Sequence, residues 1–200
     1  EQKWEKKAYS KGFELSGKTM GVIGYGRIGQ LVGAKGQALG MNVLSVVHRN
    51  KPEGCECETM HFVTMDELLS QSDIIVLCAP SGDKPLVDAE SLAKMKDGVI
   101  LINCARGELV DIDALVEGIE SEKIGALGLD TVEGEEGIIH EDHRIDILKN
   151  RNWFYLHQFR NVIFTPHMAF YTDTAVRSMV DCGIRGIVQM KEGTPCRNEL

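Results

Sequence analysis

Short apolar runs alternate along this chain with stretches whose apolar residues return every three or four positions. The runs fall at 19–23, 43–47, 74–77, 99–103, 126–129 and 162–164, and each predicts a strand. The periodic stretches at 30–39, 65–70, 88–95, 111–120 and 172–190 predict helices. Within 111–120, Ile112, Leu115, Val116 and Ile119 share one helical face. Thr64 stands before 65–70 with Glu67 three residues on, the pairing of a capping box. The last helix reads as the closing element. Strands that are apolar throughout are buried on both faces, so helices must cover both sides of a parallel sheet. Right-handed crossovers then give an α/β fold with a doubly wound parallel sheet. One segment, 134–160, breaks the alternation: it is acidic and loop-like, then rich in aromatics at Trp153, Phe154, Tyr155 and Phe159. It reads either as a functional insertion or as a helix packed on the sheet edge.

The turn between the first strand and first helix carries Gly24-x-Gly26-x-x-Gly29. In a strand–turn–helix setting each glycine has a distinct use. Gly24 permits the tight turn, Gly26 lets backbone approach a pyrophosphate, and Gly29 lets the helix pack on the strand. The helix N-terminus then offers N–H groups and a positive dipole end to phosphates. This is the layout of a Rossmann-type NAD(P)-binding domain. The bland alternative is an ordinary glycine-rich turn.

Composition narrows the field. At 200 residues with 43% hydrophobic and 26% charged content, the chain suits one soluble α/β domain. A net charge of -8 argues against a nucleic-acid surface, and a cleft that binds an acid must be locally basic. No apolar run reaches the roughly 18–20 residues of a membrane span. The charged start, with Lys3, Glu5, Lys6 and Lys7, has no apolar stretch of a signal peptide. Of six cysteines, Cys78 and Cys104 sit in apolar runs as small hydrophobes, and Cys55-x-Cys57 lacks the spacing of a redox or zinc motif. Unpaired thiols suit a reducing cytoplasmic location. His140 and His143 resemble half a metal site but read better as a solvated acidic loop, so no metal is expected.

Three polar residues stand at or beyond strand ends, where α/β sheets bind ligands. Arg106 follows the run 99–103, with Gly107 allowing a sharp exit, and an arginine there can clamp a carboxylate through two parallel hydrogen bonds. Glu135 lies in the acidic segment after Asp130, and His167 follows the stiff Thr165-Pro166 pair. A histidine beside a carboxylate can act as a general acid near neutral pH. Singly, Arg106 could cap a helix, Glu135 could be a solvated acid and His167 a turn residue.

Taken in order, Asn103-Cys-Ala-Arg-Gly107, Leu109-Val-Asp111, Gly128-Leu-Asp130, Glu133-Gly-Glu135, Thr165-Pro-His167 and Ala169-Phe-Tyr-Thr172 resemble the D-isomer-specific 2-hydroxyacid dehydrogenases. The Glu-Gly-Glu-x-Gly segment and the Ala-Phe-Tyr-Thr tail are most similar to the D-lactate dehydrogenase branch, including its vancomycin-resistance-type relatives. The resemblance implies catalytic roles for Arg106, Glu135 and His167, with Glu133 the competitor for the acid. It also implies coenzyme contacts at Gly24, Gly26, Arg27, Ile28 and Gly29, at Ala79 and Pro80, at Cys104, Ala105 and Arg106, and at Asp130 and His167. The implied reaction passes a hydride between NAD(H) or NADP(H) and a small 2-keto or 2-hydroxy acid. The competing expectation is an NAD(H)-binding sensor or scaffold without turnover; a different Rossmann enzyme is a third.

Departures from the family pattern change the expectations. The acid expected about 20 residues past the glycine loop to hold the adenosine ribose is absent. Val47 takes its place, followed by His48, Arg49 and Lys51, which could pair with a 2′-phosphate; NADP(H) acceptance is therefore expected. The stretch from Pro80 to Pro85 runs about two residues short of the family, which puts contacts in that loop in doubt. Family members also carry a substrate domain of roughly 100 residues or more before the region that begins here. Residues 1–14 then read as hinge, 15–193 as the dinucleotide-binding domain, and 194–200 as a return toward that substrate domain. The isolated chain is expected to bind nucleotide with little turnover. The family also implies a homodimer, with the aromatics of 153–159 as possible contributors.

Overall fold

A computed structural model describes residues 12–46, 54–135 and 151–195. Among them, seven strands form one parallel sheet in the order β3-β2-β1-β4-β5-β6-β7. These are β1 (Thr19–Ile23), β2 (Asn42–Val46), β3 (Met60–Phe62), β4 (Ile74–Leu77), β5 (Val99–Asn103), β6 (Ile124–Leu129) and β7 (Val162–Phe164). The helices are α1 (Arg27–Ala38), α2 (Met65–Gln71), α3 (Ala89–Lys94), α4 (Ile112–Glu120), α5 (Arg151–Leu156) and α6 (Asp173–Glu192). Strand order reverses between β1 and β4, which opens a crevice beyond their carboxyl ends.

The sheet separates two apolar layers because successive strand residues face opposite sides. Val22, Val43 and Val76 pack toward α1. Ile75, Leu77 and Leu101 pack with Leu68, Leu92, Leu115 and Leu156 from α2, α3, α4 and α5. All four residues of β4 are buried, as a strand covered on both faces requires. Helix starts follow local chemistry. The Thr64 hydroxyl accepts from Glu67 N while the Glu67 carboxylate accepts from Thr64 N, completing the expected capping box. Asp88 and Asp111 cap α3 and α4 in the same manner, each accepting from first-turn N–H groups.

Three differences from the sequence pattern have physical reasons. β3 was not expected: it has three residues, of which Met60 alone is buried, too few to show a period. The aromatic part of 134–160 is the short helix α5, which packs on α4, with Leu156 buried and Trp153 and Phe159 set against the core. Those two rings are thus occupied within the chain, and only Phe154 and Tyr155 are exposed. The expected closing helix forms as α6, capped by Thr172, yet none of its residues is buried. It exposes Met179, Val180, Ile184 and Ile187 and does not close the sheet.

The β1–α1 turn is fixed by contact distances. Gly24 adopts a left-handed φ of 94°, and a Cβ on Gly29 would lie 2.0 Å from the Gly24 carbonyl oxygen. No side chain fits there, because the obstruction is backbone. Gly29→Ala should therefore lower stability by at least about 1–3 kcal/mol, read as a fall in thermal unfolding midpoint; an unchanged midpoint would contradict this packing.

Candidate active site

One wall of the crevice is the glycine turn. Gly26 is the N-cap of α1, no side chain caps the helix, and its first turn holds no acid. Its leading N–H groups therefore have no anionic partner on the helix itself. A Cβ on Gly26 would meet nothing within 4 Å, so the space above the turn is clear for a phosphate-sized group. Arg27 and Ile28 are exposed beside it. Across the turn lies the end of β4: Cys78 N donates to Ile23 O at 2.8 Å, and the Ala79 backbone lies against Gly24. Pro80 follows, exposed. The turn, Ala79 and Pro80 thus meet, as the sequence suggested. The glycines, the clear space and the free helix end suit a nucleotide pyrophosphate. Val47, His48 and Arg49, and also His140 and His143, lie outside the described residues.

The other wall begins at β5. The buried Asn103 side chain acts as a clamp: its Oδ1 accepts from Ala105 N at 3.0 Å and its Nδ2 donates to Arg106 O at 2.8 Å. This fixes the loop that carries Cys104, Ala105 and Arg106. The exposed Arg106 guanidinium donates to Ala105 O, and no carboxylate among the described residues neutralises it. Cys104 is exposed rather than buried as a hydrophobe, which corrects the sequence reading. Burial pushes the Cys78 thiol up to about 11, with Cys104 adding to the effect, and burial followed by the Asp130 charge raises the Cys104 thiol as well.

β6 and β7 supply the rest. His167 sits at φ 48°, a left-handed conformation in which histidine is uncommon. Its ring Nδ1 lies 2.5 Å from Glu135 Oε1, while Glu135 Oε2 accepts from Val132 N at 2.9 Å. Of the two acids weighed from the sequence, Glu135 is the one against the imidazole. The His167 backbone N–H donates to the carbonyl oxygens of Asp130 and Thr165, both at 2.9 Å. The Asp130 carboxylate accepts from Thr165 Oγ1 at 2.5 Å, from Met168 N at 2.9 Å and from Ala169 N at 3.0 Å. Burial alone would raise this carboxyl. The donors from Thr165, Ala169 and Met168, with the nearby His167 ring, outweigh it and hold Asp130 below the usual carboxylate range.

Arg106, Asp130 and His167 therefore follow three adjacent strands at one edge of the sheet, with Glu135 tied to the last. The sequence reading missed Asn103 as the clamp and Thr165 as a partner of Asp130. An Asn at a strand end, two residues before a backbone N–H it can accept from, was the available signal. Asp130→Asn removes the charge from this loop anchor and should cost about 1.5–3 kcal/mol. Because the folded carboxyl titrates below its unfolded value, the wild-type advantage is complete above about pH 3.9 and fades as pH falls through the folded value. Denaturant unfolding of both proteins between pH 3 and 7 checks this; a difference that grows on acidification would refute it.

Comparison with known proteins supplies the family. Residues 1–169 match the D-isomer specific 2-hydroxyacid dehydrogenase, NAD binding domain family. The chain is 39% identical over 190 residues to an aromatic 2-oxoacid reductase of Clostridium sporogenes, covering 94% of this chain and 57% of that protein. It is 35% identical over 200 residues to a D-lactate dehydrogenase of Treponema pallidum, covering 99% of this chain and 59% of that protein. The crystal structure of a Treponema pallidum D-lactate dehydrogenase superposes with a TM-score of 0.88 at 35% identity, over 99% of this chain and 59% of that one. A Lactobacillus jensenii D-lactate dehydrogenase with NAD+ gives 0.85 at 33% identity, over 96% and 58%. The chain thus spans a little over half the length of these relatives. On the family match over residues 1–169 and the superposition of the sheet on these structures, the chain belongs to the D-isomer specific 2-hydroxyacid dehydrogenases, over their NAD binding domain.

Proposed function

We propose that this chain is the coenzyme-binding part of an enzyme that interconverts a small 2-keto acid and its D-2-hydroxy acid. The observation that carries the reading is the Glu135–His167 pair on the same sheet edge as the unneutralised Arg106. NAD(H), when bound, supplies or accepts the hydride. Arg106 holds the substrate carboxylate and polarises the ketone through its fork of N–H donors. Nδ1 of His167 faces Glu135, which leaves Nε2 to give a proton to the substrate oxygen, or to take it in the reverse direction. Glu135 stabilises the imidazolium and sets the ring's orientation, and Val132 N holds Glu135 in turn. A coenzyme sensor or scaffold has no use for all three groups together.

Several finer readings belong to the same proposal. Val47, His48, Arg49 and Lys51, in place of a ribose-binding acid, support acceptance of NADP(H) as well as NAD(H). The family resemblance supports a separate substrate domain, without which residues 1–200 turn over little substrate. The proposed division keeps 15–193 as the dinucleotide-binding domain and 194–200 as a return toward that substrate domain. A homodimer and a cytoplasmic location follow from the family reading and from thiols left free.

Tests use the full-length polypeptide. His167→Gln should lower turnover of a 2-keto acid by about 10²–10⁴-fold while NADH binding persists; near-normal turnover removes His167 from the chemistry. Fluorescence titration with NADH and NADPH should give measurable binding of both coenzymes, and strong selectivity for NADH would end the NADP(H) reading.

A further inference from the structure

Cys78 and Cys104 follow neighbouring strands at the floor of the crevice, and neither takes part in the proposed hydride or proton transfer. The β4–β5 ladder ends on the pair Leu77↔Asn103, so the next residues on the two strands are Cys78 and Cys104. Residues two before each, Val76 and Ile102, pair in register and pack toward α1. Alternation along a strand then sends both cysteines to that same side, and Cys78 packs against the same apolar layer. Neighbouring strands lie about 4.7–4.9 Å apart, inside the Cα separation of about 4.4–6.8 Å that a disulfide spans. Both thiols are free, Cys104 exposed and Cys78 half-buried.

Their position gives the pair a consequence. Cys78 N is bonded to Ile23 O, at the root of the glycine turn. Cys104 begins the loop that Asn103 clamps through Ala105 N and Arg106 O. A coenzyme reaching from the glycine turn toward His167 must cross this floor.

We propose that Cys78 and Cys104 form a paired-thiol modification site for peroxide-class oxidants, and that its closure to a disulfide excludes the coenzyme. The exclusion rests on the coenzyme reading above; the pairing of the thiols does not. The more exposed Cys104 sulfur attacks one oxygen of hydrogen peroxide in its thiolate form, a minor fraction near neutral pH because burial and the Asp130 charge raise this thiol. The O–O bond breaks, a sulfenic acid forms, and the departing hydroxide takes up the thiol's proton as water. The Cys78 sulfur then attacks the sulfenyl sulfur, the S–O bond breaks, and the second water leaves with the Cys78 proton. Two thiols are oxidised by two electrons and one peroxide is reduced to two waters. Closure draws the two Cβ atoms to about 3.8 Å, which pulls the 79–80 and 105–106 loops together. The Asn103 clamp passes that pull to Arg106.

The test uses the full-length polypeptide with its other cysteines replaced by serine, treated with hydrogen peroxide, then digested without reduction. A linked peptide joining Cys78 to Cys104 is expected, with both thiols regained after dithiothreitol. NADH at about ten times its Kd should slow the linkage about tenfold, since only the free fraction reacts. The oxidised protein should bind NADH at least about tenfold more weakly than the reduced protein. A Cys78→Ser protein, treated alike, should keep the NADH affinity it had before treatment. Absence of the linked peptide overturns the pairing. A linked protein that binds NADH as well as the reduced one overturns the exclusion. Failure of the reduced protein to bind NADH would instead refute the coenzyme reading, with the peptide map still deciding the pairing.

Discussion

The Asp130 carboxylate is the constraint on which the rim of this site depends. It is buried at the end of β6, and three donors from the 165–169 stretch converge on it. Its own carbonyl accepts the His167 N–H. A left-handed histidine is held in place only if its surroundings over-determine it. Here the Thr165 hydroxyl is tied before it, the Met168 and Ala169 amides after it, and its own amide in between. The imidazole therefore reaches Glu135 because of a bond network centred on a different acid. The burial that would disfavour an isolated carboxylate strengthens the charge-assisted bonds that surround this one.

This use of Asp130 was not legible in the sequence, whereas its neighbourhood was. The family resemblance placed Asp130 among the coenzyme contacts; the structure shows both of its oxygens engaged by the chain's own donors. Nothing local to Asp130 reveals this, because the donors lie 35 to 39 residues away along the chain. The β4 and β5 strands were readable because four apolar residues in a row leave no other burial. The start of β6 was not: Gly125 interrupts its apolar run, so only its later residues looked like strand. α6 shows the opposite failure. Its length and Thr172 cap were legible, but what its apolar side packs against is a tertiary property that periodicity does not carry.

Charge resolves in the same local way. A chain with a net charge of -8 is a poor long-range attractor for an anionic nucleotide or acid. At the crevice the acids are internally engaged: Glu135 by His167 and Val132 N, Asp130 by its three donors. Among the described residues, the uncapped start of α1, Arg27 and the Arg106 guanidinium remain open there. The surplus of acidic residues elsewhere serves solubility, and the site's own field is set by which groups are left without partners.

The two walls are built by different physics, and that divides their sensitivities. The β1–α1 turn is steric: backbone oxygen, backbone nitrogen and absent Cβ atoms fix it, and none of these responds to pH or salt. The β5–β7 rim is held by hydrogen bonds from side chains, several of them charged, which respond to both. A phosphate-binding turn must offer the same shape at every stage of a catalytic cycle. A proton-transfer pair must change its charge during that cycle while keeping its position. In the proposed roles, the loop of His167, anchored by Asp130, and Glu135, held by Val132 N, meet the second demand, since the anchor's own carboxyl is held below the pH range in which an imidazole titrates.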